Sequence, residues 1–185
     1  MEVQILSQAH MLYTGKGDKG KTKIFDCDQS FSKSSVIAEA LGTLDEVNSF
    51  FGIIKSQTPE SNKKHVHQIQ ENLFIVQAEV AGADKKIERS KILSLEKEIN
   101  RIEKELPPIK TFFISGSNDA EALFDFARTL VRRAERRVVA VVDEGLIKIS
   151  PNTLTYLNRL SSLLYALARH SAHKSGINEQ SPSYK

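Results

Sequence analysis

ARTLVRRAERRVVAVV, running from Ala127 to Val142, carries a clear helical period. At about 100° per residue, Ala127, Leu130, Val131, Ala134, Val138 and Val141 fall on one apolar arc, and Arg128, Arg132 and Glu135 line one border of it. Arg133 and Arg136 lie further round, facing water or a partner, and Arg137 sits near the opposite border. A guanidinium beside apolar surface offers a planar fork suited to phosphate or carboxylate, so Arg128 and Arg132 mark the border where a partly buried charged site would form.

The same three-four spacing recurs on both sides of this stretch. Leu41, Leu44, Val47, Phe51 and Ile54 form the stripe of a helix over Ala38 to Lys55, with Asp45 and Asn48 at its edge. Val66, Ile69, Leu73, Val76 and Val80 mark a second helix ended by Gly82. Ile92, Leu95, Ile99, Ile102 and Leu106 mark a third, stopped by Pro107 and Pro108. IKTFFISGSND is a loop in which Phe112 and Phe113 are candidate anchors, and Ser117 or Asn118 can cap the fourth helix, with Glu121 in its first turn. Ser150 and Pro151 open the fifth helix, whose core is Leu154, Leu157, Leu160, Leu164 and Leu167. Five amphipathic helices with short connections imply an all-α antiparallel bundle, and the 185 residues read as a single domain. Residues 1–10 read as a loose leader, and the polar tail over 176–185 is expected to be mobile.

The stretch from Met11 to Phe25 packs Gly15, Gly17 and Gly20 among five charged side chains. Glycines allow positive φ and close backbone approach, so successive N–H groups can turn inward as an anion nest, with phosphate the natural ligand. By letter the stretch satisfies both GxGxxG and the Walker A string, but the residues after Thr22 are mostly polar, with short alternation and no helical period. Nor does the chain offer the buried Val/Ile runs of a parallel sheet.

A net charge of +3 excludes a nucleic-acid coat and leaves anionic small ligands open. Cys27 is the single cysteine, so no internal disulfide framework or zinc cluster is expected and a reducing compartment fits. His65 and His67 are two apart and face different ways, which gives no metal pair. No run is long enough to span a membrane and MEVQILSQAH lacks a signal pattern, so a cytoplasmic protein is expected.

YTGKGDKGKT, EALGTLDEVNSFFG, ARTLVRRAERRVV and YLNRLSSLLYALAR together resemble the trimeric ATP:cob(I)alamin adenosyltransferases, in matching order over nearly the whole chain. The resemblance implies a five-helix, ferritin-like bundle assembled as a homotrimer, with ATP bound between subunits. It also implies transfer of the 5′-deoxyadenosyl group of ATP to the cobalt of cob(I)alamin, releasing triphosphate with the help of Mg2+. A reductase or a cobalamin-dependent enzyme is the implied partner. By the same resemblance Tyr13, Thr14, Gly17, Asp18, Lys19, Gly20, Thr22 and Lys33 form the nucleotide loop, and Arg132, Glu135, Arg136 and Asn158 are helix-borne ATP contacts. Asp45 resembles an aspartate that pairs with the arginine matching Arg128, and Phe112 an aromatic that keeps the lower axial ligand off cobalt. The chain departs from the family pattern at Ser115, Gly116 and Ser117, where PGG is common, at Ser162 in place of aspartate, and at Gly15 and Lys16. A P-loop kinase or ATPase, and a non-catalytic helical scaffold, are the competing readings. The first would hydrolyse ATP without corrinoid, and the second would bind neither.

Overall fold

The computed structural model describes residues 13, 15–23 and 30–185. The leader, Thr14, His10 and Cys27 lie outside these. Two three-residue strands, β1 (Lys21–Lys23) and β2 (Ser30–Ser32), pair antiparallel with Thr22 opposite Phe31. The glycine loop therefore leads into a hairpin. A P-loop needs a helix directly after the loop and a parallel sheet around it, so the Walker string is a match of letters only.

Beyond the hairpin come five helices: α1 (Val36–Gln57), α2 (Glu60–Val80), α3 (Arg89–Glu103), α4 (Asp119–Asp143) and α5 (Pro151–Lys174). Their starts obey local chemistry. The Ser35, Asn118 and Ser150 side chains accept from the backbone N–H three residues on, satisfying a donor that the helix itself cannot. With Ser35 as its cap, α1 begins two residues before the expected Ala38 and adds Ile37 to the apolar stripe. Pro151 occupies the first turn of α5, where its missing N–H costs nothing. Gly82 and Gly145, at φ of 91° and 65°, take the left-handed conformation just past α2 and α4, where a side chain would be strained.

In the bundle α1 packs on α2 and α4, α4 on α5, and α5 on α3. The apolar arc of α4 is the centre of the core: Val131, Ala134, Val138 and Val141 are fully buried, in one cluster with Leu44, Phe51, Leu157, Leu160 and Leu164. Leu130 and Leu41, at the margins of their stripes, are only partly covered. Arg133 and Arg137 on α4 pair with Glu46 and Glu39 on α1, so these arginines brace two helices.

Glu79 on α2 is 3% exposed, and its carboxylate accepts from the Ser150 N–H at 2.7 Å and from the Thr153 hydroxyl. A buried carboxylate is tolerated there because it meets the orphan donors at the start of α5. Tyr156, also buried, accepts from Asn72 Nδ2 at 3.1 Å, and burial pushes its phenol well above the ordinary range.

The tail corrects one expectation. It is seated rather than loose: the Ile114 N–H donates to the Gln180 carbonyl at 2.8 Å, and Glu179 pairs with Arg169 at 3.2 Å. Arg169 is 4% exposed, and a buried guanidinium requires a counter-charge, which the tail supplies.

Candidate active site

The main cavity, about 810 Å3, opens at one end of the bundle between the end of α3, the first half of α4, the second half of α5 and the loop over 104–118. Ile99, Leu106 and Ala166 supply apolar wall, Phe112 and Phe113 stand at the rim, and Arg128 and Arg132 project from α4 one turn apart. Phe112 is 76% exposed, so it is no core anchor. Phe113 is half-buried, stacked on the Arg169 guanidinium, whose carbon lies 4.9 Å from the ring centroid.

The rim loop is held by its polar groups. Glu121, 7% exposed, accepts from the Gly116 and Ser117 N–H groups at 2.6 and 2.9 Å, so the first turn of α4 clasps the loop that enters it. The Ser115 hydroxyl donates to Asp125 Oδ2 at 2.7 Å. The departures from the family's PGG thus make bonds of their own.

Arg128 is fixed by a partner one turn before it. Its Nε donates to Asp125 Oδ1 at 2.8 Å, and its guanidinium carbon sits 6.0 Å from the centroid of the Tyr165 ring. Burial raises the Asp125 carboxyl, but the bonds from Arg128 and Ser115 outweigh it and leave the group below the ordinary carboxylate range. The resemblance pairs Asp45 with the arginine matching Arg128; among the described residues Arg128 is bonded by Asp125. Asp45 is exposed, and Asp125 takes Arg128 because an i, i+3 carboxylate is already in reach before the helices pack.

A second cleft, about 340 Å3, lies beside the hairpin, where Thr22, Lys23 and Lys33 meet Ala38 and Leu41 of α1. The loop before it makes two tight turns, Asp18 N–H to Gly15 carbonyl at 3.2 Å and Gly20 N–H to Gly17 carbonyl at 3.1 Å. Gly20 has φ of 72°, and its carbonyl accepts from the Lys33 N–H at 2.9 Å. A Cβ on Gly17 would stand 3.0 Å from Lys33 Nζ, so the glycine lets that ammonium lie against the loop. Tyr13, Asp18 and Lys19 are exposed. Thr14 lies outside the described residues.

Of the helix-borne group, Glu135 and Asn158 meet across α4 and α5, Asn158 Nδ2 donating to Glu135 Oε1 at 3.1 Å. Exposed Arg136 caps the Arg132 carbonyl at 3.1 Å. The described loop residues do not line the cavity that holds Arg128 and Arg132, so the loop and the arginine border open on two separate clefts.

Residues 12–171 match the cobalamin adenosyltransferase family. The chain belongs to that family. It is 36% identical over 178 residues to the corrinoid adenosyltransferase PduO of Citrobacter freundii, covering 90% of this chain and 52% of that protein. To the corrinoid adenosyltransferase of Bacillus subtilis it is 35% identical over 177 residues, covering 91% and 90%. The chain thus spans about half the length of the PduO relatives and most of the Bacillus one. Among solved structures, a variant of a PduO-type ATP:corrinoid adenosyltransferase from Lactobacillus reuteri, complexed with cobalamin and ATP, superposes with a TM-score of 0.86 at 27% identity, over 94% of this chain and 97% of the other. Another variant of the Lactobacillus protein, complexed with ATP, gives 0.84 at 28% identity, over 92% and 99%.

The sequence reading does not single out Asp125, Tyr165 or Arg169, all of which line the cavity. Asp125 is legible in the sequence as the i, i+3 partner of Arg128. Ser161, Tyr165 and Arg169 recur every fourth residue of α5 and all line the cavity, but the surrounding leucines mask that stripe.

Proposed function

We propose that the protein transfers the 5′-deoxyadenosyl group of ATP to the cobalt of cob(I)alamin, releasing triphosphate. The observation that carries this reading is the pair Arg128 and Arg132, one turn apart in the same apolar, aromatic-rimmed cavity as Phe112. The cavity wall suits a corrinoid face, and its cationic border suits a polyphosphate. Family membership and the ATP and cobalamin complexes of the Lactobacillus variants support it.

In this reaction the Co(I) electron pair attacks C5′. The Co–C bond forms as the C5′–O bond breaks, and triphosphate departs with the bonding pair. The substrate is itself the nucleophile, so the protein has to orient both reactants and stabilise the leaving charge. We assign Tyr13, Thr14, Gly17, Asp18, Lys19, Gly20, Thr22 and Lys33 to the nucleotide loop, and Arg132, Glu135, Arg136 and Asn158 to nucleotide contacts on the helices. Phe112, Arg128 and Asp45 belong to the corrinoid side. Mg2+ accompanies the triphosphate in this reading, since that ion keeps most of its waters and needs few protein ligands beside phosphate oxygens.

The two clefts meet, in this reading, between subunits of a homotrimer, the loop of one facing the helices of the next. Asp45 is exposed on α1 and would then be available to a neighbouring subunit. Phe126, 54% exposed and edge-on to Phe50 at 5.1 Å, gives the α1/α4 face an apolar patch suited to a second copy. The helices, hairpin and tail act as a single domain, placed in the cytoplasm with a reductase to supply Co(I). No helix among the described residues is long and apolar enough to cross a membrane.

Mixing the protein with Mg·ATP and chemically reduced cobalamin tests the assignment. An alkylcobalt spectrum appearing together with free triphosphate is expected. ADP formed without corrinoid, or no reaction at all, would remove it.

A further inference from the structure

The seated tail bears on the corrinoid side of the cavity. Arg169 lines that cavity, and its charge is engaged by the tail: Nε reaches both Glu179 oxygens at 3.4 and 3.2 Å, and Nη2 reaches Oε2 at 3.2 Å. Nη1 and Nη2 also donate to the Pro107 carbonyl at 3.4 and 3.5 Å. The guanidinium packs against the ring of Phe113. One side chain therefore ties together the start of the rim loop, its aromatic centre and the tail. The Ile114 to Gln180 backbone bond adds a second tie one residue beyond Phe113.

Phe112 lies between these ties. Being three-quarters exposed, it has little packing of its own, and its chain neighbours set its place. Among the described residues Glu179 is the one carboxylate paired with Arg169. Without that charge the buried guanidinium would have to draw in water or leave its stack, and the ring of Phe113 would go with it.

We propose that Glu179 and Arg169 are positioning residues for the corrinoid side of the cavity, the tail carboxylate holding Arg169 against Phe113 and so fixing the loop that carries Phe112. The inference rests on the adenosyltransferase reading for its ligand, and on geometry alone for the latch.

Two measurements on the full-length chain separate these. Amide hydrogen exchange over residues 109–116 tests the latch without any ligand. In Glu179→Gln, exchange there should quicken by about tenfold, the scale of one lost charge-assisted contact, while Glu179→Asp, which keeps the charge, should fall between it and wild type. Steady-state kinetics test the coupling. The KM for reduced cobalamin in Glu179→Gln should rise by about tenfold while the KM for ATP stays within about twofold, a split that general destabilisation would not produce. The electronic spectrum of bound cob(II)alamin should show the lower axial base retained on cobalt in a larger fraction of molecules than with wild type. Unchanged exchange overturns the latch. An unchanged corrinoid KM, or ATP and corrinoid KM rising together, overturns the positioning role. Wild-type protein that makes no adenosylcobalamin would instead sink the functional assignment, and the exchange result would still decide the latch.

Discussion

Arg132 and Glu105 show how differently two charged side chains are used near the same end of the bundle. Arg132 makes no ion pair among the described residues and projects into the cavity, a guanidinium left available for a ligand. Arg132→Ala should raise the KM for ATP and lower kcat, with a loss on the order of 2 to 4 kcal/mol in kcat/KM. Lysine should restore only part of it, since a point charge cannot reproduce a planar fork. Kinetics like wild type in the alanine variant would exclude Arg132 from the site. Glu105, by contrast, is saturated: His170, Lys174 and Arg101 bond it at 3.0, 3.0 and 2.5 Å. The bonds from His170 and then Lys174 draw its carboxyl down to about 2. Its pKa is lower folded than unfolded, so the unfolded chain takes up the proton first as pH falls. The stabilisation is complete above the ordinary carboxylate pKa and is lost as pH drops through about 2. The Tm of Glu105→Gln should accordingly fall below wild type at neutral pH, with the gap closing between about pH 4.5 and 2. A gap independent of pH would show that packing, not charge, is what Glu105 contributes.

At the scale of elements, the starts of α4 and α5 position the site. Asn118 and Glu121 close the loop that carries Phe112 and Phe113, and Ser150 begins the helix that brings Ser161, Tyr165 and Arg169 to the cavity. Ser150→Ala should cost about 1 kcal/mol in urea unfolding, the usual worth of an N-cap. Its hydroxyl also reaches Glu79 at 3.4 Å, and the Ser150 N–H that holds Glu79 survives the change. The corrinoid KM should be unaltered, because the cap lies at the opposite end of α5 from Tyr165 and Arg169. A KM change as large as the stability change would mean that α5 shifts as a rigid rod.

For the whole molecule, the decisive feature is that the described residues of the glycine loop do not line the cavity that holds Arg132 within one chain. A trimer with sites between subunits makes a direct prediction. Lys19→Ala damages the loop and Arg132→Ala the helix side, so each alone should be poorly active. Mixed and reassembled, they should regain about a quarter of the wild-type sites, the share of random interfaces in which an intact loop meets an intact helix pair. Activity no greater than the sum of the two separate variants, or a fully active monomer by sedimentation, would rule the shared site out.

Sequence periodicity alone determined the five helices, because a three-four apolar stripe is brought onto one face only by a helix, and Ser150 followed by Pro151 or Asn118 before Glu121 marks a helix start from short-range chemistry. It also spoke against a P-loop, since nothing directly after Thr22 has a helical period, and the hairpin of β1 and β2 then took the place of the helix a P-loop needs. What it could not determine were the partners of charges. The borders carrying Asp45 and Arg128 are visible in the sequence, but whether they meet depends on how α1 and α4 pack, and a nearer carboxylate, Asp125, is in reach first. The tail shows the same division. Residues 176–185 are polar and without period, which locally describes a loose end. Only the tertiary structure, by burying Arg169 and leaving it without a counter-charge from its own bundle, made Glu179 the group that had to be there.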